Sequence, residues 1–572
     1  MSGALSYNPP AQPTYVAYGD LGGGLNTRKD PHALLRNELF ASINCWSPYD
    51  KALGKRPGTV PLVTADGSTG AGVGGTAMAS CRFGNVTYLL ILQGTGVYAG
   101  AENGSSYEHI GDVGVGTKFI TAAQMYDPTH PAVNAFDGTV FICDGVSTPW
   151  YWTGPGGTFG TVATGSNNCP TNFSNSAPIT PQFVATLGNN SHLFYSGEPT
   201  CPSAVYISDP FSPETFTTQA MQVNPTAGGY TPAIIGMNDG VNGGPISGLQ
   251  TLGSVMVAFK ESAVYIMVLT TLLGEIPVWQ IIQVSNSVGC SSPRSIVGFD
   301  TFVIFLFVDG VYMTDGNTCK KISGDVPTYF DSSLTGFSAT ITNRSTAQAV
   351  RHGNKYVIFF YSSSNNYCDM GMWFDFDKQS ASGFPIAGQI SGMNVGGVVS
   401  LRGPNDTGNF AWVDAVVDRV GEFGVGFADW GNPISVLFAG KADLFEDVFG
   451  PAAPIMQKQC QDAWLLVDLL ASTQTNVAFA GTIVVDLSLE LQQSSILTLP
   501  VPPLQGGIWG SGQWGTMEWG GSLSNSTFNT LKIPWQGTAK GRMLQWAITE
   551  SSTVPWVALG VLQYLDAQLP NV

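Results

Sequence analysis

From about residue 60 to residue 430 the chain keeps returning to one phrase: a short β-rich run, a turn built on Asp or Asn with Gly, a second run, then a loop. Five copies are plain: "VTYLLILQGTGVYAG" (86–100), "GTVFICDGVSTPWYWTG" (138–154), "SHLFYSGEPTCPSAVYISDP" (191–210), "SVMVAFKESAVYIMV" (254–268) and "TFVIFLFVDGVYMTDG" (301–316). A sixth, "KYVIFFYSSSNNYCDMGMWFDFD" (355–377), has a longer turn. Each reads as a β-hairpin, and in the fifth Asp309-Gly310 is expected to supply the positive φ angles of a tight turn. Hairpins recurring at irregular intervals of about 40 to 60 residues fit a β-propeller of roughly six to eight blades, each blade a small antiparallel sheet stacked on the next. A series of sandwiches is the alternative architecture.

Composition supports an all-β fold. The 572 residues include 70 Gly and 35 Pro, are 44% hydrophobic and only 11% charged, so short apolar runs are punctuated by turns and disorder is excluded. Such a length implies about two to four domains. After "ADWGNP" (428–433) the runs lengthen, as in "GTIVVDLSLELQ" (481–492) and "WVALGVLQYLD" (556–566), which predicts a separate β-sandwich. Three parts are therefore expected: an N-terminal arm with a short helix (1–58), the propeller (59–434) and the C-terminal sandwich (435–572). The helix rests on Asp30-Pro31 followed by Leu35, Leu39 and Ile43 at period four.

A formal net charge of −17 argues against a broad nucleic-acid footprint, because holding phosphates requires clustered Lys and Arg. The start, MSGALSYNPP, lacks the basic and apolar regions of a signal peptide, and runs such as "TFVIFLFV" are too short for a membrane-spanning helix. With nine scattered Cys and no CxxC pair, the expectation is a soluble protein with free thiols from a reducing cytoplasm.

No nucleophile elbow, HExxH, P-loop or GxGxxG is present, and the five His (32, 109, 130, 192, 352) lack ligand spacing. The expectation is no catalytic residue, no metal and no cofactor. Asp137, Asp144, Asp209, Asp309 and Asp315 all precede Gly or Pro and read as turn formers. Trp509, Trp514 and Trp519, each followed by Gly, form a candidate aromatic contact loop, in which packing competes with sugar binding. Against this acidic background, six of the 23 Lys and Arg crowd into residues 22–58: Arg28, Lys29, Arg36, Lys51, Lys55 and Arg56. They are candidate docking residues, which would give register more than affinity, against the plainer reading of a solvated loop that closes the propeller.

Several phrases occur in a telling order: "GGLNTRKDPHALLRNE" and "KRPG" near the start, then "NNSHLFYSGEP", "PSAVYISDPFSPETF", "MVAFKESAVYIM", "VGCSSPRSIVGFDTFVIFLFVDGVYMTDG" and "AKGRMLQWAITESSTVPWVALGVLQYL". The set resembles the tail nozzle proteins (tail tubular protein B, or tail hub) of short-tailed bacteriophages. The resemblance implies a structural virion protein without enzymatic activity, six copies of which form a ring at the distal end of the tail. It implies partners: the head-to-tail adaptor below the portal, tail fibres or spikes, and viral DNA that passes through the ring without specific binding or stable membrane insertion. Assembly would take place in the host cytoplasm. The alternative is a carbohydrate-binding or carbohydrate-active propeller that recognises the bacterial surface.

Overall fold

The computed structural model describes residues 14–48, 51–134, 137–163, 178–187, 191–216, 233–235, 244–273, 276–330, 343–361, 367–401, 408–469, 477–485, 494–499 and 530–568. Regular structure among them is nearly all antiparallel strand. Five four-stranded sheets follow one another along the chain. Sheet I comprises Ala77–Phe83, Val86–Gln93, Gly96–Ala101 and Tyr107–Asp112, and sheet II Thr121–Met125, Thr139–Cys143, Trp150–Trp152 and Phe159–Thr161. Sheet III is Phe183–Thr186, Leu193–Ser196, Ala204–Ile207 and Ala233–Ile234; sheet IV is Ile246–Leu252, Val255–Lys260, Val264–Leu273 and Ile276–Ser285. Sheet V is Val297–Gly298, Val303–Phe307, Gly310–Thr314 and Cys319–Lys321. The strands Asn343–His352, Lys355–Tyr361, Cys368–Gln379, Pro385–Ser400, Phe410–Asp414 and Val420–Phe423 continue the meander within a larger sheet. All six hairpins expected from the sequence are present.

The sequence dictates this locally through its turns. Phe83 pairs with Val86 and Gln93 with Gly96, leaving two-residue loops whose Gly84 and Gly94 take φ of 60° and 62°. That is the left-handed geometry a tight hairpin demands. The fifth hairpin departs from expectation. Phe307 pairs with Gly310, so Val308 and Asp309 form the turn and Gly310 opens the next strand without positive φ. Glycine is required at 310 because a Cβ there would collide with the Ser323 hydroxyl.

Successive sheets pack face to face, and this explains why their middle strands read as unbroken apolar runs. Val140, Ile142 and Trp152 of sheet II share a core with Leu90 and Leu92 of sheet I; Phe141 and Cys143 share another with Leu193 and Tyr195 of sheet III. Phe194 and Val205 meet Met256 and Ala258 of sheet IV, whose Val257 and Phe259 meet Val303 and Phe305 of sheet V. Ala411 and Val413 pack with Leu89 and Ile91, returning to sheet I. First strands follow suit: Ala77–Phe83 touches Thr121–Met125, which touches Phe183–Thr186, and so on through Ile246–Leu252, Val297–Gly298 and Asn343–His352. Phe410–Asp414 touches both Asn343–His352 and Ala77–Phe83, so the series closes.

The chain divides into two compact units, residues 61–373 with 392–424, and residues 1–60 with 374–391 and 425–572. The first holds the closed series of sheets. In the second, Thr14–Tyr18 pairs along Trp556–Gln568, which also pairs with Leu53–Lys55 and Gln457–Leu469. Asn432–Asp443 pairs with Ala41–Ile43 and Leu544–Ser552. Tyr18, Phe438, Leu465, Trp546 and Trp556 fill one core.

The arm with a short helix is thus corrected. Residues 30–43 contain turns and a strand, not a helix, and Leu39 is buried while Leu35 lies 44% exposed, so the period-four leucines do not share a face. The first 60 residues contribute strands to the unit that the C-terminal strands complete. No helix among the described residues is long and apolar enough to cross a membrane.

Candidate functional site

Within the unit of small sheets, the first strands of sheets I, II, IV and V and the strands Asn343–His352 and Pro385–Ser400 line a cavity of about 950 Å³, with Arg82, Gln124, Gln250, Asp300, Arg351 and Ser400 among the lining residues. Arg351 donates to Asp300 at 3.2 Å and lies 4.9 Å over the Phe299 ring. Asp300 is the single carboxylate among the described lining residues. Where the first strands begin, Arg294 donates to the carbonyls of Thr76 (3.0 Å), Thr346 (3.1 Å) and Gly396 (3.4 Å) and stacks on Phe119. Burial pushes its guanidinium pKa down. It stitches strand starts together. Glycine is needed at 396 and 397 because the backbones of Gly75 and Ala77 occupy the space a Cβ would take.

Strands alternate in direction, so the loop entering each first strand and the turn between its second and third strands lie at the same end of the sheet. Six exposed valines sit on such segments: Val73 and Val115 on entering loops, and Val146, Val308, Val416 and Val417 on the second turns, with Val115 the most exposed at 87%. Asp144 and Asp309 hold two of these second turns, beside Val146 and Val308, whereas Asp137, Asp209 and Asp315 lie at the other end of their sheets. Asp144 accepts from the backbone N–H groups of Val146, Ser147 and Gly114; burial would raise its pKa, and these bonds hold it below the usual carboxylate range. Both oxygens of Asp137 accept from the Gly84 N–H, Asp315 accepts from Asn317 and Thr318, and Asp309 pairs with Lys321 at 2.8 Å. Asp209 closes its bend by accepting from Ser212 through the backbone.

The candidate docking residues are placed very unevenly. Lys55 is fully buried and pairs with Glu550 at 3.0 Å, and Arg56, also fully buried, pairs with Asp429 and donates to Asn44. Lys29 pairs with buried Glu38 at 2.9 Å, and Arg36 with buried Asp443 at 2.9 Å and exposed Asp447 at 2.7 Å. For Lys55 and Arg56 the docking expectation is corrected, because both are fully buried against acids of the same chain; Lys29 and Arg36 also pair within the chain but keep 29% of their side chains exposed. Arg28 and Lys51 are exposed. Trp509, Trp514 and Trp519 lie outside the described residues.

One cluster escaped the sequence reading. Asp127, His130 and Glu214 bring a ligand atom each to within 4.8 Å of one another. His130 Nδ1 lies 2.6 Å from Glu214 Oε1 and 3.6 Å from Asp127 Oδ2. Desolvation and the Asp127 charge raise the Glu214 pKa to about 7. The run Asp127-Pro-Thr-His130 was the available signal; Glu214 arrives from the next sheet, 84 residues on.

No protein-family model and no curated protein matches the chain. Solved structures resemble it weakly. PorZ, a surface component of the type-IX secretion system of Porphyromonas gingivalis, aligns over 64% of this chain and 37% of its own length with 12% identity and a TM-score of 0.33. A functionally unknown protein from Desulfotomaculum acetoxidans aligns over 55% of this chain and 89% of its own at 10% identity and a TM-score of 0.31. The dihydro-heme d1 dehydrogenase NirN aligns over 63% and 70% at 8% identity and a TM-score of 0.32. Likeness this slight assigns no function, and the chain spans little more than a third of PorZ.

Proposed function

We propose that this chain is a structural subunit of a short phage tail, assembling through its propeller into a ring at the distal end, joined to the head-to-tail adaptor, through which DNA is ejected. On this reading the closed series of sheets is a seven-bladed β-propeller: sheets I to V, the strands from 343 to 379, and a last blade built from 395–400, Phe410–Asp414 and Val420–Phe423. The second unit is a β-sandwich closed by both chain ends. The observation that carries the assembly role is the set of six exposed valines on entering loops and second turns at one end of the sheets; among the described residues the opposite end exposes fewer apolar groups, including Tyr126, Val133 and Phe211. An apolar end of this kind suits a protein–protein contact. The order of phrases resembling tail nozzle proteins supports the particular assembly, as does the acidic composition, which gives DNA few handles as it passes.

The test is imaging of virions and purified protein, with Val115→Asp and Val416→Asp variants. Rings on the tail axis are expected for the parent, and loss of ring incorporation with an unchanged melting temperature for the variants. Localisation to a peripheral fibre, or full incorporation of both variants, overturns the reading.

A further inference from the structure

We propose that Asp127, His130 and Glu214 bind one divalent transition-metal ion, for which Zn²⁺ is the probe. The inference stands apart from the tail reading. Its first ground is the cluster itself. Asp127 and Glu214, only 1% and 3% exposed, bring their carboxylates to one imidazole, with the three ligand atoms within 4.8 Å of one another. A divalent cation takes the place of the protons that such a trio otherwise shares.

Donor type selects the ion. One imidazole nitrogen with two carboxylate oxygens suits Zn²⁺ and its first-row neighbours, whereas Ca²⁺ and Mg²⁺ favour all-oxygen shells. Geometry is close to what is needed. Bonds of about 2.0–2.2 Å at tetrahedral angles put donor atoms roughly 3.3–3.6 Å apart. The 3.6 Å between His130 Nδ1 and Asp127 Oδ2 already meets this, and the 2.6 Å hydrogen bond to Glu214 need open by less than about 1 Å.

The ligands are also held in place, as metal ligands require. The backbone N–H groups of Thr129 and His130 donate to the two oxygens of Asp127, fixing the carboxylate. The imidazole stacks on Tyr151 with ring centres 3.9 Å apart, and the Thr139 hydroxyl donates to the His130 carbonyl. His130 keeps 28% of its side chain exposed, a route by which the ion enters and water completes its shell.

The experiment titrates the full chain, stripped with chelator and desalted, with ZnCl₂ by calorimetry, and with Co²⁺ followed by visible absorption. One saturable site per chain is expected, with Co²⁺ d–d bands and a melting temperature that rises with Zn²⁺. His130→Ala and Glu214→Gln should each weaken binding at least about tenfold, while His109→Ala, at an exposed histidine elsewhere, leaves it unchanged. Absence of saturable binding to the parent protein overturns the proposal, a result that needs no variant to fold. Undiminished binding in both ligand variants also overturns it, since the ion would then be adventitious.

Discussion

Glutamate 550 offers the sharpest test of whether the basic N-terminal segment folds or docks. Its Oε2 accepts from Lys55 Nζ at 3.0 Å and from the Trp556 indole N–H at 2.9 Å, with both charged side chains fully buried. Lys55 also donates to the Ser552 carbonyl. Burial lowers the Lys55 pKa, and Glu550 works against that shift. Glu550→Ala removes the compensating charge, leaving the Lys55 ammonium with the neutral Ser552 carbonyl and the Trp556 indole N–H without its acceptor. Breaking one side of a buried pair costs about 3–5 kcal/mol. For a unit of about 200 residues that corresponds to a fall in melting temperature of roughly 6–20 °C. Lys55→Ala should do the same from the other side. The double variant Lys55→Met with Glu550→Leu should recover most of the loss, because a packed apolar pair avoids the desolvation the ions suffer. Among the described residues Glu550 Oε1 accepts no hydrogen bond, so the native pair is incompletely satisfied, which favours recovery. Thermal and guanidinium unfolding of the four proteins measures the cycle. Single variants within about 0.5 kcal/mol of the parent would refute the reasoning and return Lys55 to a surface role.

Arg36→Ala should destabilise by about 1–2 kcal/mol, since among the described residues buried Asp443 would keep neutral donors from Tyr18 and Phe445 and a Lys441 ammonium at 3.9 Å, whereas Arg28→Ala should leave unfolding unchanged; chemical denaturation compares them. Asp418→Ala should cost about 1–3 kcal/mol, because its oxygens accept from Gln93, Ser68 and the N–H groups of Thr69 and Gly72. Burial raises its pKa, but those bonds hold it far below the usual carboxylate range, so its contribution is present above the unfolded carboxylate pKa and lost as pH falls through the acid range. His352 runs in the same direction by another route. Burial against Phe410 and Phe423 drops its pKa to about 4, so the folded state resists protonation that the unfolded chain accepts. Stability should be full above about pH 6.5 and fall toward pH 4, and His352→Gln should flatten that slope in melting curves taken across the range.

The hairpins were legible because their determinants are local: an apolar run, a glycine able to take positive φ, a second run. Gly94 shows this, with its φ of 62° between strands that pair residue by residue. Where the pattern misled, a non-local contact had decided. Gly310 follows Asp309 as a turn glycine would, yet the hydroxyl of Ser323 is what requires it. Leu35, Leu39 and Ile43 mimic a helix face, but Ala41–Ile43 is captured by Asn432–Asp443 nearly 400 residues away. The same distance hid the site chemistry. His130 shows its local carboxylate, Asp127, in the sequence, while Glu214 becomes its neighbour only when sheet III packs on sheet II.

Pairing inside the chain also changes what the charge balance means. The excess of 40 acidic over 23 basic residues is a property of the sequence, but what approaching DNA meets is the surface. Lys55 and Arg56 are withdrawn completely, and Lys29 and Arg36 spend their charge on Glu38, Asp443 and Asp447. Glu38, Asp443 and Glu550 are themselves buried, and among the described residues ten acids but four bases are buried, so the surface carries a smaller acidic excess than the −17 of the sequence. The densest basic stretch in the chain therefore presents only Arg28 and Lys51 as exposed cations. Phosphate affinity grows with the number of cations that can displace counterions, and its sign is set by the local field. A cluster that looked in sequence like a handle for an acidic partner thus fastens mainly within the chain: Arg36, Lys55 and Arg56 tie the first 60 residues to Asp443, Glu550 and Asp429, and the cations it leaves exposed are Arg28 and Lys51.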